Sequence, residues 1–417
     1  MKLLVTNPIA PRRAHAVNAA PVVIFQLLAA LAGQLDGQVG FLRLRRPGDP
    51  PPDQDDAAGA AELAALGVTL LPTLELPAPP ARRRTLKILA APTLADFYPD
   101  TAAARLVEAH AAGFAADALL VPWSEWTTAL CADFPGRKFA YYGNPDPKNW
   151  RAQAELFRRA GGSLPHYLAQ RGLARRLEPL HLEVMRRYDV HGNVAANDAD
   201  YYRARGHPNA FYLQNVWIDR FGEEWRRLRR PPDNATTVIV GSVGKVRGTA
   251  NTLGLEILGR DLLPELRRSF GGRGFEVHVL GSGQPHPLIA AHLQAPEIKL
   301  RGFVPDIDAE ILAAPIFLCM NNASSYKVGH TRYLHAWSLG ACVVAHADAA
   351  LSMPEMRHGE NCLLGGSAAE IAALVAKAAG DAGLRGRLGE AGYETFRTTF
   401  LAPLVAPSIV QRLAAAA

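Results

Sequence analysis

The chain has 417 residues, of which 49% are hydrophobic and 20% are charged, and its formal net charge is +6. This length predicts two domains, because domains usually have about 100–200 residues, and the apolar content excludes a wholly disordered chain. Most of the basic residues are Arg and Ala is abundant, a bias typical of GC-rich coding sequences. The positive charge is therefore weak support for a polyanionic partner, and no specific nucleic-acid binding is expected.

Neither a signal peptide nor a membrane span is predicted. The N-terminal sequence becomes polar after five residues, and the apolar stretch 21–33 is shorter than the ~20 residues that cross a bilayer. The four cysteines, Cys131, Cys319, Cys342 and Cys362, form no CxxC pair and predict reduced, structural thiols. We expect a cytoplasmic protein whose membrane contact, if it has any, is peripheral at the inner face of the cell membrane.

Short apolar runs alternate with helical patterns through the first half, which predicts βα units and a parallel sheet. Strands are predicted over 2–6, 39–44, 68–71, 118–122, 138–142, 194–197 and 210–213. The other predicted elements are helices over 22–35 and 198–205, a Pro/Asp loop over 47–56, and an Arg-rich, mainly helical stretch over 150–188.

A second series of βα units comes after a charged run, 226–230, and two prolines that together predict a linker. Its strands are predicted over 236–241, 275–281, 298–304, 316–321, 342–346 and 362–364, and its helices over 331–339, 368–378 and, more weakly, 404–416. The predicted domains are 1–225 and 235–395, and the segment 396–417 is expected to pack back on the first. The fold class is α/β, with two doubly wound halves and a ligand expected in the cleft between them.

The first candidate site is the glycine-containing loop Gly241–Thr249, directly after a predicted strand. Gly241 and Gly244 would let the backbone approach a ligand closely, and Lys245 and Arg247 are suited to pairing with phosphate oxygens. The loop has neither the spacing of a Walker A motif nor that of a dinucleotide fingerprint. An alternative stays open, in which this is a glycine turn with two solvated basic residues.

The second candidate site is the polar segment Ser324–Gly340, in which a loop enters a predicted helix. Free backbone amides at a helix N-terminus form an anion site. Ser325 or Thr331 is equally suited to a plain capping role. His330 and His335 lie five residues apart, which is a poor spacing for two ligands of one zinc ion.

Other polar positions have structural explanations. Asn215 comes after a predicted strand and is most simply a turn residue. The Asp53–Asp55 pair is expected to be solvated. The two similar pairs at 198–200 and 306–308 are expected to supply carboxylates at helix N-termini rather than to bind a metal.

Taken in order, these segments resemble the GT-B fold glycosyltransferases, specifically the retaining, nucleotide-sugar-dependent family 4 (group 1) type. The resemblance is strongest over residues 190–370. The segments that resemble the family motifs are Leu213–Asp219, Gly241–Gly248, Val279–Gly283, Gly302–Val304, Arg332–Val344 and Glu355–Leu364. The resemblance implies two Rossmann-like domains facing a central cleft, of which the first binds an acceptor and the second a nucleotide-sugar donor.

The sequence departs from the family pattern at three places. Lys327 and His335 stand where the family has paired glutamates, the second of which holds the ribose hydroxyls. Ser242 stands where a phosphate-binding Arg is usual, and Gly143–Asp146 replaces a histidine near the reacting sugar.

The resemblance implies a hexosyltransferase that moves a sugar from a UDP- or GDP-linked donor to a glycan, lipid-linked glycan or protein acceptor. It also implies retention, no metal, no permanently bound cofactor and a role in cell-surface polysaccharide biosynthesis. The implied catalytic residues are Lys245, Arg247 and His330. The implied donor-binding residues are Gly241, Gly244, Gly302, Phe303, Gly329, Thr331, Arg332, His335 and Glu355, and the acceptor-binding residues are Arg12, His15 and Asn144. The alternatives are a catalytically weak GT-B protein that binds a nucleotide sugar or glycan, and a nucleotide-sugar epimerase.

Overall fold

The computed structural model describes residues 1–13, 19–46, 48–49, 51–76, 101–143, 145–159, 163–231, 236–328 and 331–416. The chain forms two compact units. The first comprises Met1–Arg151, Leu168–Val216 and Ala402–Ala417, and the second comprises Ala152–Tyr167 and Trp217–Leu401. The C-terminal residues thus belong to the same unit as the N-terminal ones.

The first unit is built on a parallel sheet whose central strands are rich in apolar residues, as expected of strands buried on both faces. Its described strands are β1 (Leu3–Asn7), β2 (Val39–Arg45), β3 (Val68–Leu70), β4 (Leu74–Glu75), β5 (Ala118–Pro122), β6 (Arg137–Tyr142), β7 (Val190–Asn193) and β8 (Ala210–Tyr212). Hydrogen bonds order them as β3-β2-β1-β5-β6-β7-β8, and β4 pairs with β2.

Helices connect these strands. They are α1 (Ala20–Gln34), α2 (Gln54–Ala65), α3 (Thr101–Phe114), α4 (Glu125–Leu130), α5 (Asp146–Arg159), α6 (Leu164–Arg186) and α7 (Ala196–Arg203). All of them lie in the first unit except the second half of α5 and the first turn of α6, which belong to the second unit. α1 begins with Pro21, a position at which the missing N–H of proline costs no helical hydrogen bond.

The second unit contains a second parallel sheet, with the order β11-β10-β9-β12-β13-β14. Its described strands are β9 (Thr236–Val243), β10 (Gly274–Leu280), β11 (Ile298–Gly302), β12 (Ile316–Cys319), β13 (Cys342–His346) and β14 (Leu363–Gly365). The remaining α-helices are α8 (Trp225–Leu228), α9 (Thr249–Ile257), α10 (Leu263–Phe270), α11 (Ile307–Ala313), α12 (Thr331–Ser338), α13 (Ala349–Ser352), α14 (Ala368–Gly380), α15 (Ala382–Thr399) and α16 (Ala402–Ala415).

The last helix, α16, packs against α1 in the first unit. Its residues Val405, Ile409 and Leu413 are buried. Arg137, at the start of β6, donates a hydrogen bond to the carbonyl oxygen of Leu413 at 2.9 Å. The C-terminal helix is therefore part of the core of the first unit.

The charged run 226–230 is not a free linker. Arg229 donates hydrogen bonds to the carbonyl oxygens of Ile311 at 3.1 Å and Ala314 at 2.6 Å. Trp225 is buried, and its ring lies so close to Gly340 that a Cβ there would overlap it. These contacts anchor the segment in the second unit. The charged residues that predict an exposed linker therefore make structural contacts instead.

The predicted strands match the observed ones closely except at β4, which has no predicted counterpart, and at β7. This strand lies at Val190–Asn193, whereas the sequence predicts 194–197. His191 and Asn193 are fully buried in it and interrupt the apolar pattern from which a strand is predicted. The predicted helical stretch 150–188 is divided between α5 and α6. Several observed helices, among them α2, α3 and α15, have no counterpart among the helices predicted with bounds.

The four cysteines are free and buried, as predicted for structural thiols. Burial raises the pKa of the Cys131 and Cys362 thiols to about 12, which makes them poor nucleophiles. None of the described helices is both long and apolar enough to cross a membrane.

Candidate functional site

Both sheets are doubly wound, and each has one place where the strand order reverses. In the second unit the described strands wind outwards from β9 in one direction and from β12 in the other. In the first unit the corresponding pair is β1 and β5. In open α/β sheets ligands bind at this switch point, at the carboxyl ends of the two strands. The segments after β9 and β12, and those after β1 and β5, are therefore the candidate binding positions of the two units.

The loop after β9 is held against the end of β10. Gly244 has a φ of 96°, which favours glycine, and its N–H donates to the carbonyl oxygen of Leu280 at 3.0 Å. A Cβ at Gly281 would overlap the carbonyl of Gly244, so both positions require glycine. The N–H of Val246 donates to the carbonyl oxygen of Ser282 at 3.2 Å. The backbone of the loop is therefore fixed on one side.

The loop presents two exposed cations, Lys245 and Arg247. The Nε of Arg247 donates to the carbonyl oxygen of Gln284 at 3.1 Å. This bond holds the Arg247 side chain near the end of β10. It uses only Nε, so the two terminal nitrogens of the guanidinium can donate to an anion.

A third cation approaches the loop from α12. The Nε of Arg332 donates to the carbonyl oxygen of Val243 at 3.1 Å, and one terminal nitrogen would lie 3.7 Å from a Cβ added at Gly244. Burial lowers the pKa of Arg332, although a guanidinium remains charged in proteins. Arg332 is the second residue of α12, which begins at Thr331. Three cationic side chains therefore lie at or beside the loop after β9.

Two buried asparagines connect the ends of β9 and β12. The Nδ2 of Asn251 donates to the carbonyl oxygen of Lys245 at 2.7 Å, and its Oδ1 accepts from Nδ2 of Asn321 at 3.0 Å. Asn251 and Asn321 are each 3% exposed. Gly254 permits this approach, because a Cβ there would lie 2.7 Å from Oδ1 of Asn321. The amides therefore fix the loop after β9 relative to the turn after β12.

A neighbouring asparagine organises the chain before α12. Asn322 is fully buried, and its Nδ2 donates to the carbonyl oxygen of Val328 at 3.1 Å. The N–H of Tyr326 donates to the Ser324 hydroxyl at 3.1 Å. The turn after β12 thus sets the path of the segment that leads into the helix of Arg332.

Lys327 and His335, at the two positions where the family has glutamates, pair with carboxylates of the second unit. Lys327 forms an ion pair with Asp348. Nε2 of His335 is 2.5 Å from Oδ1 of Asp308, and the other carboxylate oxygen is 2.6 Å from Arg220.

The environment of Asp308 keeps that carboxylate charged. Burial alone would raise the pKa of Asp308, but hydrogen bonds and charges from His335 and Arg220 lower it. The ring of Trp217 packs on His335 at a centroid distance of 5.3 Å. Nε2 of His335 therefore already has a hydrogen-bond partner in Asp308. Binding of the donor ribose by His335 stays a prediction.

Of the other residues predicted to bind the donor, some lie beside the loop after β9 and others have a structural role. Gly302 has a φ of 67° and its carbonyl accepts from the N–H of Gly281 at 2.8 Å, so it lies beside the loop after β9. The side chain of Phe303 is 69% exposed next to it. Gly241, by contrast, lies inside β9, where a Cβ would overlap Val277, so its lack of a side chain serves strand packing. The backbone carbonyl of Glu355 accepts from Asn361 at 2.8 Å.

Four of the predicted site residues, Gly329, His330, His15 and Asn144, lie outside the described residues. The structure brings Gly244, Lys245, Arg247, Gly302 and Arg332 together around the loop after β9. Sequence reasoning missed the asparagine pair, because Asn321 is placed at the end of a predicted strand and Asn251 lies ten residues after another.

At the switch point of the first unit, Asn7 connects β1 to β5. The side-chain amide of Asn7 donates to the carbonyl oxygen of Pro122, and its Oδ1 accepts from the N–H of Ile9 at 2.8 Å. Asn7 is fully buried. It therefore fixes the end of β5, directly before Trp123.

Trp123 has an unusual backbone. Among the described residues, three non-glycine residues have a positive φ: Asp36, Ala115 and Trp123. The first two lie just after the ends of helices, where a left-handed residue is common. Trp123, with a φ of 50°, instead comes after a central strand, and such a conformation costs about 1–3 kcal/mol. Sequence reasoning could not detect it.

Arg12, which the resemblance assigns to acceptor binding, has carboxylate partners within the first unit, and its acceptor role stays a prediction. Its guanidinium is paired with Asp53 at 2.7 Å, Asp56 at 2.6 Å and Asp55 at 3.4 Å. Asp53 also caps α2, accepting from the N–H of Asp56 at 2.9 Å. Asp53 and Asp55 are solvated, as predicted, with side chains 57% and 68% exposed, but they also pair with Arg12, and Asp53 begins a helix.

Among the described residues, no group of three or more His, Cys, Asp or Glu side chains converges in a way that would hold a metal ion.

Comparison with known proteins agrees with this geometry. The chain is similar to solved structures of a glycosyltransferase from Rickettsia africae (TM-score 0.58, 12% identity, 99% of this chain and 98% of that one). It is also similar to Anabaena Alr3699/HepE in complex with UDP and glucose (TM-score 0.58, 12% identity, 99% of both chains). A third is trehalose-6-phosphate synthase (TM-score 0.55, 12% identity, 100% of this chain and 99% of that one). The protein therefore has the GT-B fold.

Residues 237–381 match the family model described as Glycosyl transferases group 1, and this segment lies wholly in the second unit. The resemblance to this family that is seen in the sequence is therefore confirmed for this segment. No curated protein matches the chain significantly.

Proposed function

We propose that the protein is a glycosyltransferase that moves a sugar from a nucleoside diphosphate sugar to an acceptor, with the donor bound at the β9/β12 switch point. The observation that supports this most is the convergence of Lys245, Arg247 and Arg332 on one glycine loop within the family-matched segment. Because a fold relative was solved with UDP and glucose, a UDP-linked donor is the first candidate.

The chemistry needs stabilisation of the leaving diphosphate. Negative charge grows on the β-phosphate as the bond to the sugar breaks, so preorganised cations and amides lower the barrier. Lys245 and Arg247 are proposed to contact the phosphates from the loop, and Arg332 from α12. Removal of one such group typically costs on the order of 3 kcal/mol of barrier. Gly302 and the exposed ring of Phe303 are proposed to contact the nucleotide base.

The direct test is release of nucleoside diphosphate from UDP-glucose and GDP-mannose, with and without a glycan acceptor. We expect one donor to be turned over and its turnover to rise with acceptor. Absence of both binding and turnover for a panel of nucleoside diphosphate sugars would contradict the proposal.

A second candidate is a GT-B protein that binds a nucleotide sugar or glycan with little catalysis. The engagement of Lys327 by Asp348 and of His335 by Asp308 favours it, because both positions are occupied by local partners. Tight binding of a nucleotide sugar without any turnover would distinguish this candidate. A nucleotide-sugar epimerase would instead form a new sugar nucleotide without acceptor.

The finer parts of the proposal come from the resemblance. Transfer with retention is tested by the anomeric configuration of the product in NMR spectra. The acceptor is proposed to be a glycan, a lipid-linked glycan or a protein in cell-surface polysaccharide biosynthesis, met in the cytoplasm or at the inner face of the cell membrane.

A further inference from the structure

The switch point of the first unit contains an aromatic side chain with two unusual features. Trp123 lies directly after β5 and has a φ of 50°, a conformation that bulky side chains rarely adopt. Its indole Nε1 is buried and donates to no protein atom of the described chain. Unfavourable backbone geometry and an unpaired buried donor both oppose folding, and such features concentrate at functional sites.

The surroundings hold the indole in a fixed position. The N–H of Trp123 donates to the carbonyl oxygen of Tyr141 at 2.6 Å. Its ring lies over Gly143, where an added Cβ would be 3.4 Å from the indole. On the other side of the strand end, Asn7 bonds the carbonyl of Pro122. The ring is thus supported from β6 by a residue without a side chain, and its backbone is fixed from β1.

The chemistry of this place suits a sugar ring. A saccharide has a face of C–H groups and a rim of hydroxyls, so it binds best to a flat apolar surface with polar groups around it. Trp123 is partly exposed and supplies the flat surface. Just after β2, Arg46 lies over the Trp126 ring at 5.2 Å and its Nε is 4.0 Å from Asp49, which adds polar groups of both charges to the same sheet edge.

We propose that Trp123 is the acceptor platform of the first unit and that the acceptor presents a saccharide ring to the indole. This inference rests on the proposed glycosyltransferase function and specifies the class of the acceptor group. Asn7 is a positioning residue, because it holds the strand end and has no exposed surface.

The test compares Trp123→Gly with Trp123→Phe in the full chain. Glycine accepts the positive φ and removes the ring, whereas phenylalanine keeps a flat ring at the same place. Ala115→Gly is the control, because it relieves a similar φ of 56° away from the switch point. Binding is measured by saturation-transfer NMR with methyl glycosides of glucose, galactose, mannose and N-acetylglucosamine, at saturating UDP.

We expect saturation transfer to the ring protons of at least one methyl glycoside in the parent protein and in Ala115→Gly. We expect at least a tenfold weaker affinity in Trp123→Gly and an intermediate value in Trp123→Phe, with UDP affinity unchanged in every variant. Two results would overturn the assignment of Trp123 without affecting the proposed function. One is saccharide binding by Trp123→Gly as tight as that of the parent protein, and the other is no saturation transfer to any of the four glycosides while UDP binds. If UDP and other nucleoside diphosphates fail to bind the parent protein, the proposed function fails instead.

Discussion

Asn251 and Asn321 are 70 positions apart in the chain and hydrogen-bonded at the end of the second sheet. Each amide is buried, so each needs a partner to offset the cost of leaving water. Asn251 also donates to the carbonyl oxygen of Lys245, so the bond links the loop of Lys245 to the turn after β12. One pair of small side chains thus couples two parts of the candidate donor site.

Asn321→Leu should weaken both the fold and nucleotide binding. Leucine leaves Oδ1 of Asn251 buried without its donor, which costs about 1–3 kcal/mol. We expect that loss in urea unfolding of the second unit, and about tenfold weaker UDP binding by calorimetry. Asn209→Leu is the matched control, since Asn209 bonds the carbonyl of Tyr188 at 2.9 Å in the first unit. Equal effects of both variants on UDP affinity would contradict the coupling role.

Arg247→Ala should reduce donor affinity or turnover at least about tenfold, the order expected when one charge-assisted contact is lost. Arg268→Ala is the control with the same change of net charge, because Arg268 is exposed and paired with Glu265. Steady-state kinetics with the preferred donor measure both. Parent-like kinetics in Arg247→Ala would remove that residue from the phosphate site.

The sequence predicts only part of this site. Gly244, Lys245 and Arg247 are contiguous after an apolar run, so one local pattern reveals them. The asparagine pair depends on which strands become neighbours in the sheet, and a single sequence does not contain that information locally. The backbone of Trp123 is equally hidden, because no residue type there signals a positive φ.

At the scale of elements, β7 and the helices beside it enclose a buried cluster of histidines. His181 on α6 bonds the Tyr202 hydroxyl at 2.6 Å, and the rings of His191 and His207 lie 5.4 Å apart. Burial lowers the pKa of His181 and of His191 to about 3, and lowers that of His207 as well. The same polar residues explain why β7 is not predicted from an apolar pattern.

This cluster should make the first unit sensitive to acid. Between pH 6.5 and about 3 the unfolded chain binds protons that folded His181 and His191 do not, so stability falls as the pH drops through that range. The expected loss is about 1.4 kcal/mol per pH unit for each histidine. Hydrogen exchange, corrected for intrinsic rates, should show this from pH 7 to 4.5 in peptides covering β7 and α7.

Peptides covering β13 serve as the internal reference for that experiment, and His191→Leu should flatten the pH dependence. Protection of β7 that stays constant relative to β13 over the same range would contradict the assignment of the acid sensitivity to the cluster.

At the scale of the whole molecule, the chain builds the same doubly wound plan twice. Alternating apolar runs and helices predict this plan well, since strands buried on both faces are nearly continuous apolar segments. The sequence does not predict that Ala152–Tyr167 belongs to the second unit, because that membership depends on packing at a distance. Leu156, for example, joins the hydrophobic core of the second unit.

Activity should persist in excess EDTA. Three basic side chains around the loop after β9 supply the positive charge that a divalent cation would otherwise provide to a diphosphate. Initial rates with and without chelator, and with added Mg²⁺ or Mn²⁺, measure this. Loss of activity in EDTA with recovery on adding either cation would contradict the metal-free mechanism.

The binding of nucleoside diphosphates decides whether the β9/β12 switch point is a donor site. Thermal unfolding is measured with UDP, GDP and ADP, for the parent protein and for an Arg247→Ala, Arg332→Leu double variant. A ligand at 100 times its Kd adds about 2.7 kcal/mol to the unfolding free energy. We predict that one diphosphate stabilises the parent protein to about this extent and that the double variant loses most of the effect. No stabilisation by any of the three, or equal stabilisation of the double variant, would contradict the assignment of the donor site.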